Sequence, residues 1–266
     1  MKKFLFILIF STISIIVFWG IFQIKLKPKY IPTKGSYISL MPNITEIIYA
    51  LGADNNLLAV TNNCFYPQKA KSKPKIGNAF FINKENILKY KPETIFAIDY
   101  EKPYIDDLNT LGIKIHYFTF KNLDDIYKCI AKIGEITNHN DKANLLINNL
   151  KKEQDNFKTK SPKRILYLAS IDPLVTAGQN SFLDDVILKS GHYNITKNLN
   201  SDYQVISLEY IISKKPDLII VSSYCNTDYL KKNLKIKIIQ LKPSQSSYIE
   251  CPGPRIIQVL KYFSEL

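Results

Sequence analysis

The sequence predicts an α/β protein built from two related lobes, and three observations carry that prediction. Apolar runs of strand length alternate with helix-period segments along most of the chain. A long polar segment without turn punctuation, Asp141 to about Phe157, interrupts the alternation near its middle. On either side a helix–Lys–Pro–strand unit recurs, as ENILKYKPETIFAI in the first half and EYIISKKPDLIIV in the second. A cleft between two such lobes is a favoured place for a ligand.

The elements follow in order. A strand at Tyr37–Leu40 leads to Pro42 and Asn43-Ile-Thr-Glu46, where the Asn/Glu spacing reads as a capping-box helix start. That helix runs through Ile47, Ile48 and Leu51 and stops at Gly52. The pattern then predicts a strand at Leu57–Val60, a loop, a helix at Lys84–Tyr90 and a buried-type strand at Glu93–Ile98. A helix at Tyr104–Leu111, a strand at Ile113–Phe118 and an amphipathic helix at Leu123–Ile136 complete the first lobe. Beyond the polar helix come a strand (Ile165–Ala169) and two helices (Phe182–Ser190, Leu208–Lys214). Strands at Asp217–Val221 and Lys235–Leu241 and a closing helix at Pro254–Phe263 finish the chain.

The N-terminus reads differently. Phe4–Ile24 holds no charged residue, and about 20 residues of helix cross a bilayer's hydrocarbon core. No small-x-small cleavage site follows it, and the first cysteine is Cys64, far from any lipidation position. An uncleaved hydrophobic anchor helix is the expectation, with a cleaved signal peptide as the alternative; both place the domain outside the cytoplasm. Residues 1–24 are thus a signal or anchor helix and 25–35 a Lys/Pro-rich linker. The N-terminal lobe spans 36–140, the connecting helix 141–160 and the C-terminal lobe 161–266.

The net charge of +13 raises the question of nucleic acid. Five of the lysines lie in the first 29 residues, the rest are scattered, and only Arg164 and Arg255 supply guanidinium groups. A solvated lysine-rich surface is the better reading, with no nucleic-acid partner. Cys64, Cys129, Cys225 and Cys251 form no C-x-x-C pair; in an exported protein Cys225 and Cys251 are the pair to test for a disulfide, and Cys129 reads as a small buried hydrophobe.

The succession ISLMPNITEIIYALGA and NCFYPQKAKSKPKIGNAFFINKENILKYKPETIFAI resembles the N-terminal lobe of the periplasmic binding proteins that serve ABC importers for cobalamin, ferric siderophores and haem. LYLASIDPLVTAGQNSFLDDVILKSGHYNI and CPGPRIIQVLKYF resemble the C-terminal lobe, so the likeness spans about residues 36–265. NCFYP followed by PKIG is most similar to the cobalamin-binding branch. The resemblance implies two Rossmann-like lobes, a single long backbone helix joining them, a ligand cleft between, and small opening motions. It also implies an ABC permease as partner, docked by one acidic residue per lobe: Glu85 and Glu209 by motif position. Both stand in the first turn of a helix, where a carboxylate also complements the helix dipole.

A corrinoid, broad and apolar with an amide edge, needs flat aromatic walls and a few polar partners. Aromatic residues in loops where α/β sheets bind ligands are Phe65, Tyr66, Phe80, Phe81 and Tyr100 in the first lobe, and Tyr203, Tyr224 and Tyr248 in the second. Cobalamin-binding relatives place tryptophans in the cleft, whereas Trp19 is the sole tryptophan here. Arg255 is the candidate for an anionic siderophore, and Tyr100, Tyr203 or Tyr224 for an axial haem contact. His116, His139 and His192 form no metal-ligand set, no resident cofactor is expected, and neither a G-x-S-x-G elbow, a P-loop nor a G-x-G-x-x-G opens a helix. The paired acids Asp106-Asp107, Asp124-Asp125 and Asp184-Asp185 stand near helix starts, so an enzyme is not expected. A membrane-anchored sensor or scaffold without a transport role is the alternative of another class.

Overall fold

The computed structural model of the chain describes residues 30–78 and 81–266. The hydrophobic segment expected at 1–24 and residues 25–29 of the linker therefore lie outside the described residues. The chain divides into Met1–Pro32 and Thr33–Leu266, and the second unit contains every element that follows.

In the first lobe the chain forms β1 (Thr33–Ser39), α1 (Pro42–Ala50), β2 (Leu57–Val60), the short hairpin strands β3 (Gly77–Asn78) and β4 (Phe81–Ile82), α2 (Lys84–Tyr90), β5 (Pro92–Ile98), α3 (Lys102–Ile105), β6 (Lys114–Phe118) and α4 (Leu123–Ile136). The main sheet is parallel in the order β2-β1-β5-β6. Strand order reverses between β1 and β5, the place where open α/β sheets leave a crevice beyond their carboxyl ends.

Local chemistry explains the boundaries. Pro42 takes the first helical position of α1, where its missing N–H costs nothing. Gly52 ends the helix at φ +66°, with the Gly52 N–H bonded to Tyr49 and that of Ala53 to Ile48. The helix–Lys–Pro–strand echo is matched backbone for backbone. Asn83 caps α2, and Ser207 caps its counterpart in the second lobe, each accepting from the N–H three residues on. Lys91 and Lys215 both turn left-handed at φ 50° and 47°, immediately before Pro92 and Pro216. A residue before proline is disfavoured from the right-handed helical region, which favours ending the helix there.

The connecting segment folds as α5 (Asn140–Gln154), three residues short of the expected Phe157. It buries only Ala143 and Leu150, which is why its sequence reads as polar. It packs on α4 of the first lobe and on the closing helix of the second, and so joins both bodies. Contact with α4 is close because position 134 is glycine: a Cβ there would sit 2.5 Å from that of Ala143.

The second lobe comprises β7 (Arg164–Ile171), β8 (Leu174–Ala177), α6 (Phe182–Lys189), β9 (Tyr193–Asn194), β10 (Tyr203–Val205), α7 (Leu208–Lys214), β11 (Leu218–Val221), α8 (Asp228–Asn233), β12 (Lys237–Gln240), α9 (Pro243–Ile249) and α10 (Ile256–Ser264). Its sheet runs β10-β8-β7-β11-β12, with β7, β11 and β12 parallel and β8 antiparallel to both neighbours. Sequence periodicity misses β8, β9, β10, α8 and α9. The three strands are short, and β10 is exposed along its whole length, so it has no apolar face to show. The helix expected at Tyr104–Leu111 is instead α3 followed by a 3₁₀ stretch at Asp106–Leu111.

A single hydrophobic cluster runs from Tyr37 and Ile44 in the first lobe through α4 and α5 to Phe182, Leu260 and Phe263 in the second. The two lobes thus share one core rather than meeting across a solvated hinge.

Candidate ligand cleft

A cavity of about 610 Å³ opens between the lobes. Its first-lobe wall comes from the carboxyl ends of β1, β5 and β6: Met41 to Asn43, Ile98 to Tyr100, and Phe118 to Lys121. The second-lobe wall comes from the start of α6, the loop before β10, the loop after β11 and the stretch from α9 to Arg255. The cavity therefore sits at the first sheet's order reversal, where fold geometry leaves backbone and side chains free to point at a guest.

Of the aromatic residues expected to meet a ligand, Phe65, Tyr66, Tyr100, Tyr203 and Tyr224 line this cavity. Tyr224 is 82% exposed, so its ring has little protein around it in this state. Phe81 does not line the cavity: it sits on the β3–β4 hairpin with its ring in solvent and its N–H held by Asn78. Tyr248 also stands outside it, half-buried against the core on α9. Phe80 lies outside the described residues.

Three rings that motif reading passed over also line the wall: Phe118 and Phe120 after β6, and Phe182 at the start of α6. Phe118 closes a strand that the sequence does predict, so its strand-end position was the available signal. Phe182 is 5% exposed and doubles as core, which no local pattern distinguishes.

Arg255 is not a free anion acceptor. Its guanidinium forms a two-pronged pair with Glu46, with Nε to Oε2 at 2.7 Å, and also donates to Ser247. Glu46 is 2% exposed by side chain and Arg255 11%, so the pair is withdrawn from water. The guanidinium also lies 4.3 Å from the centre of the Tyr66 ring. Burial raises the Glu46 carboxyl above the usual carboxylate range, and the Arg255 hydrogen bonds oppose that rise. The capping-box reading of Asn43 and Glu46 is overturned by the same contacts. The N-cap of α1 is Met41, and Asn43 donates across the cleft to the Pro252 carbonyl at 3.1 Å. A further interlobe bond runs from the Leu123 N–H to Asp185 at 2.9 Å.

Cys225 and Cys251 are free thiols, so the proposed disulfide is absent here. Cys225 points at the Ala169 carbonyl of its own lobe and Cys251 at Glu46 of the first lobe, so the two thiols have different partners. Cys64 and Cys129 are free and buried. Among the described residues no group of three or more His, Cys, Asp or Glu is arranged to hold a metal ion. Glu85 and Glu209 are exposed, each the second residue of its helix, α2 and α7.

A two-lobed α/β body with an aromatic cavity at the sheet switch point defines a ligand-capturing class of protein, able to enclose a small molecule between its halves. A family model described as periplasmic binding protein matches residues 38–239, and the chain belongs to that family. It is 30% identical over 248 residues to the vitamin B12-binding protein of Vibrio vulnificus (strain CMCP6), covering 86% of this chain and 90% of that one. Among solved structures it is similar to the periplasmic vitamin B12 binding protein BtuF of Vibrio cholerae, at 25% identity and a TM-score of 0.75, over 87% of this chain and 95% of that one. It is equally similar to a possible iron-binding periplasmic solute-binding protein of Staphylococcus epidermidis, at 26% identity and a TM-score of 0.74, over 87% and 97% of the two chains.

Proposed function

We propose that this protein is the extracytoplasmic substrate-binding component of an ABC importer, and that it captures a corrinoid between its lobes and passes it on unchanged. The observation that carries this reading is the interlobe cavity of about 610 Å³ with aromatic rings on both walls. Such a space suits a flat, mostly apolar macrocycle, and small polar groups along its rim suit an amide edge. The vitamin B12-binding relatives named above support the corrinoid over other guests. In this reading the corrinoid is cargo, and the protein holds no cofactor of its own.

Delivery requires a permease. Glu85 and Glu209 occupy matched positions on α2 and α7, one in each lobe, and are free of ion pairs among the described residues. We assign them to docking, where opposite charge fixes register and speeds encounter. The uncharged Phe4–Ile24 stretch supports a membrane anchor holding the domain at its permease; among the described residues no helix is long and apolar enough to span a membrane.

Titration of the purified full-length protein with cyanocobalamin, haemin and ferric siderophores tests the ligand, read by tyrosine quenching and visible-band shifts. Cyanocobalamin should bind with a Kd at or below about 1 μM. Tight haemin binding with no response to cyanocobalamin would overturn the corrinoid reading. It would favour haem instead, with Tyr100, Tyr203 or Tyr224 as the iron contact.

A further inference from the structure

The cavity has a charge opposite to that of the chain. The protein carries a net +13, yet three carboxylates that line the cavity have no cationic partner among the described residues: Asp99 after β5, Asp202 before β10, and Glu250 after α9. The side-chain hydrogen-bond partners of two of them are neutral hydroxyls. Glu250 accepts from the Tyr167 hydroxyl at 2.7 Å, and Asp99 from the Thr119 hydroxyl. Arg255 contributes nothing to the balance, because the Glu46 pair cancels it. Among the described lining residues Lys121 is the one remaining cation.

Two further features point the same way. The field of Glu250 reaches well into the second-lobe wall. Tyr203 is half-exposed in the cavity wall, and burial raises its hydroxyl to about 12, with Glu250 and Asp202 adding to the rise. The Cys225 thiol is raised by burial first and by Glu250 second. Independently, both walls carry aromatic rings, whose negatively charged faces attract cations and disfavour anions.

Resting on the corrinoid reading, we infer that Asp99, Asp202 and Glu250 act as a charge filter, so that the cleft selects net-cationic corrinoids over neutral ones and excludes anionic macrocycles. The chemistry of the ligands makes this a real choice. In cyanocobalamin the cobalt(III) charge is balanced by the corrin ring, the cyanide and the phosphodiester. Replacing cyanide by water leaves one net positive charge, and hydrolysing one propionamide of cyanocobalamin leaves one net negative charge. Ferric haem, with its two propionates, is net anionic. An unpaired carboxylate within about a Debye length of the guest separates these forms, and salt removes the separation.

The experiment is a charge ladder on one scaffold. The full-length protein is titrated with cyanocobalamin monocarboxylate, cyanocobalamin and aquacobalamin, at about 20 mM and about 500 mM salt. Affinity at low salt should rise by about three- to ten-fold per step from anion to neutral to cation, and the three should converge at high salt. The first pair keeps cyanide on cobalt, so their difference cannot come from exchange of the axial water. Glu250→Gln and Asp202→Asn should each flatten the ladder. The wild-type salt series stands by itself if either variant fails to fold. Equal affinities for the three forms at low salt, or a ladder that salt does not flatten, would overturn the filter. Failure of all three to bind would instead overturn the corrinoid reading beneath it.

Discussion

Glu101 shows how much one side chain can bias the stability of the whole. It is fully buried at the end of β5, with one carboxyl oxygen accepting the Ile98 N–H at 3.0 Å and the other left without a partner. Burial raises its pKa from 4.5 to about 7. The folded state therefore holds a proton that the unfolded chain has already released at weakly acidic pH. Stability from this group is fully present below about pH 4 and is lost as pH rises through about 7, a swing on the order of 3 kcal/mol. Urea unfolding at pH 5 and pH 8 checks this. Glu101→Gln should lose less stability between the two pH values than the wild type, with its advantage largest at pH 8. Parallel pH profiles for the two proteins would refute the assignment.

Elements meet across the cleft through α1 and the loop that precedes α10. Glu46 belongs to the first and Arg255 to the second, 209 residues apart, and Asn43 adds its bond to Pro252. An ion pair withdrawn from water costs desolvation that only its partner offsets. Arg255→Ala leaves the Glu46 carboxylate buried and alone, and should destabilise the protein by about 3–5 kcal/mol. The double variant Glu46→Met, Arg255→Met, which removes both charges, should recover most of that loss. Denaturant midpoints of the single and double variants separate the two outcomes: an equal loss in both would mean that packing, not the stranded charge, sets the cost. The elements themselves were largely legible in advance. The Lys84–Tyr90, Leu123–Ile136 and Leu208–Lys214 helices stand at their predicted bounds because caps, left-handed stops and three–four apolar spacing are local. Asn43 and Glu46 were misread for the converse reason: their spacing satisfied a local rule while their partners lay in the other lobe.

At the scale of the whole molecule, the shared hydrophobic core and the α5 bridge tie the lobes into one body, and the proposed docking to a permease would fall to its exposed surface. Glu85 and Glu209 are exposed and stand outside the cavity lining. Reversing both (Glu85→Lys, Glu209→Lys) should leave cyanocobalamin affinity within about two-fold while lowering uptake in cells by about ten-fold or more, since like charge across a docking surface costs several kcal/mol. Unchanged uptake in that variant would favour a membrane-anchored sensor over a transport component.

The sequence by itself determined the alternation of strands and helices, the two-lobed echo with its Lys–Pro stops, and the loops from which the cleft is built. It also pointed to Phe65, Tyr66, Tyr100, Tyr203 and Tyr224, because residues at strand ends of an α/β sheet share one edge. Tertiary structure alone decided which rings turn inward: it seated Phe118, Phe120 and Phe182 in the wall and left Phe81 and Tyr248 out of it. It also decided that Arg255 is taken by Glu46, that Cys225 and Cys251 stay apart, and that three carboxylates without an ion pair among the described residues line the cavity. The physical reason is range. Caps and periodicity act over one to four residues, whereas the direction of a side chain and the balance of charge in a cavity depend on neighbours brought from far along the chain by packing.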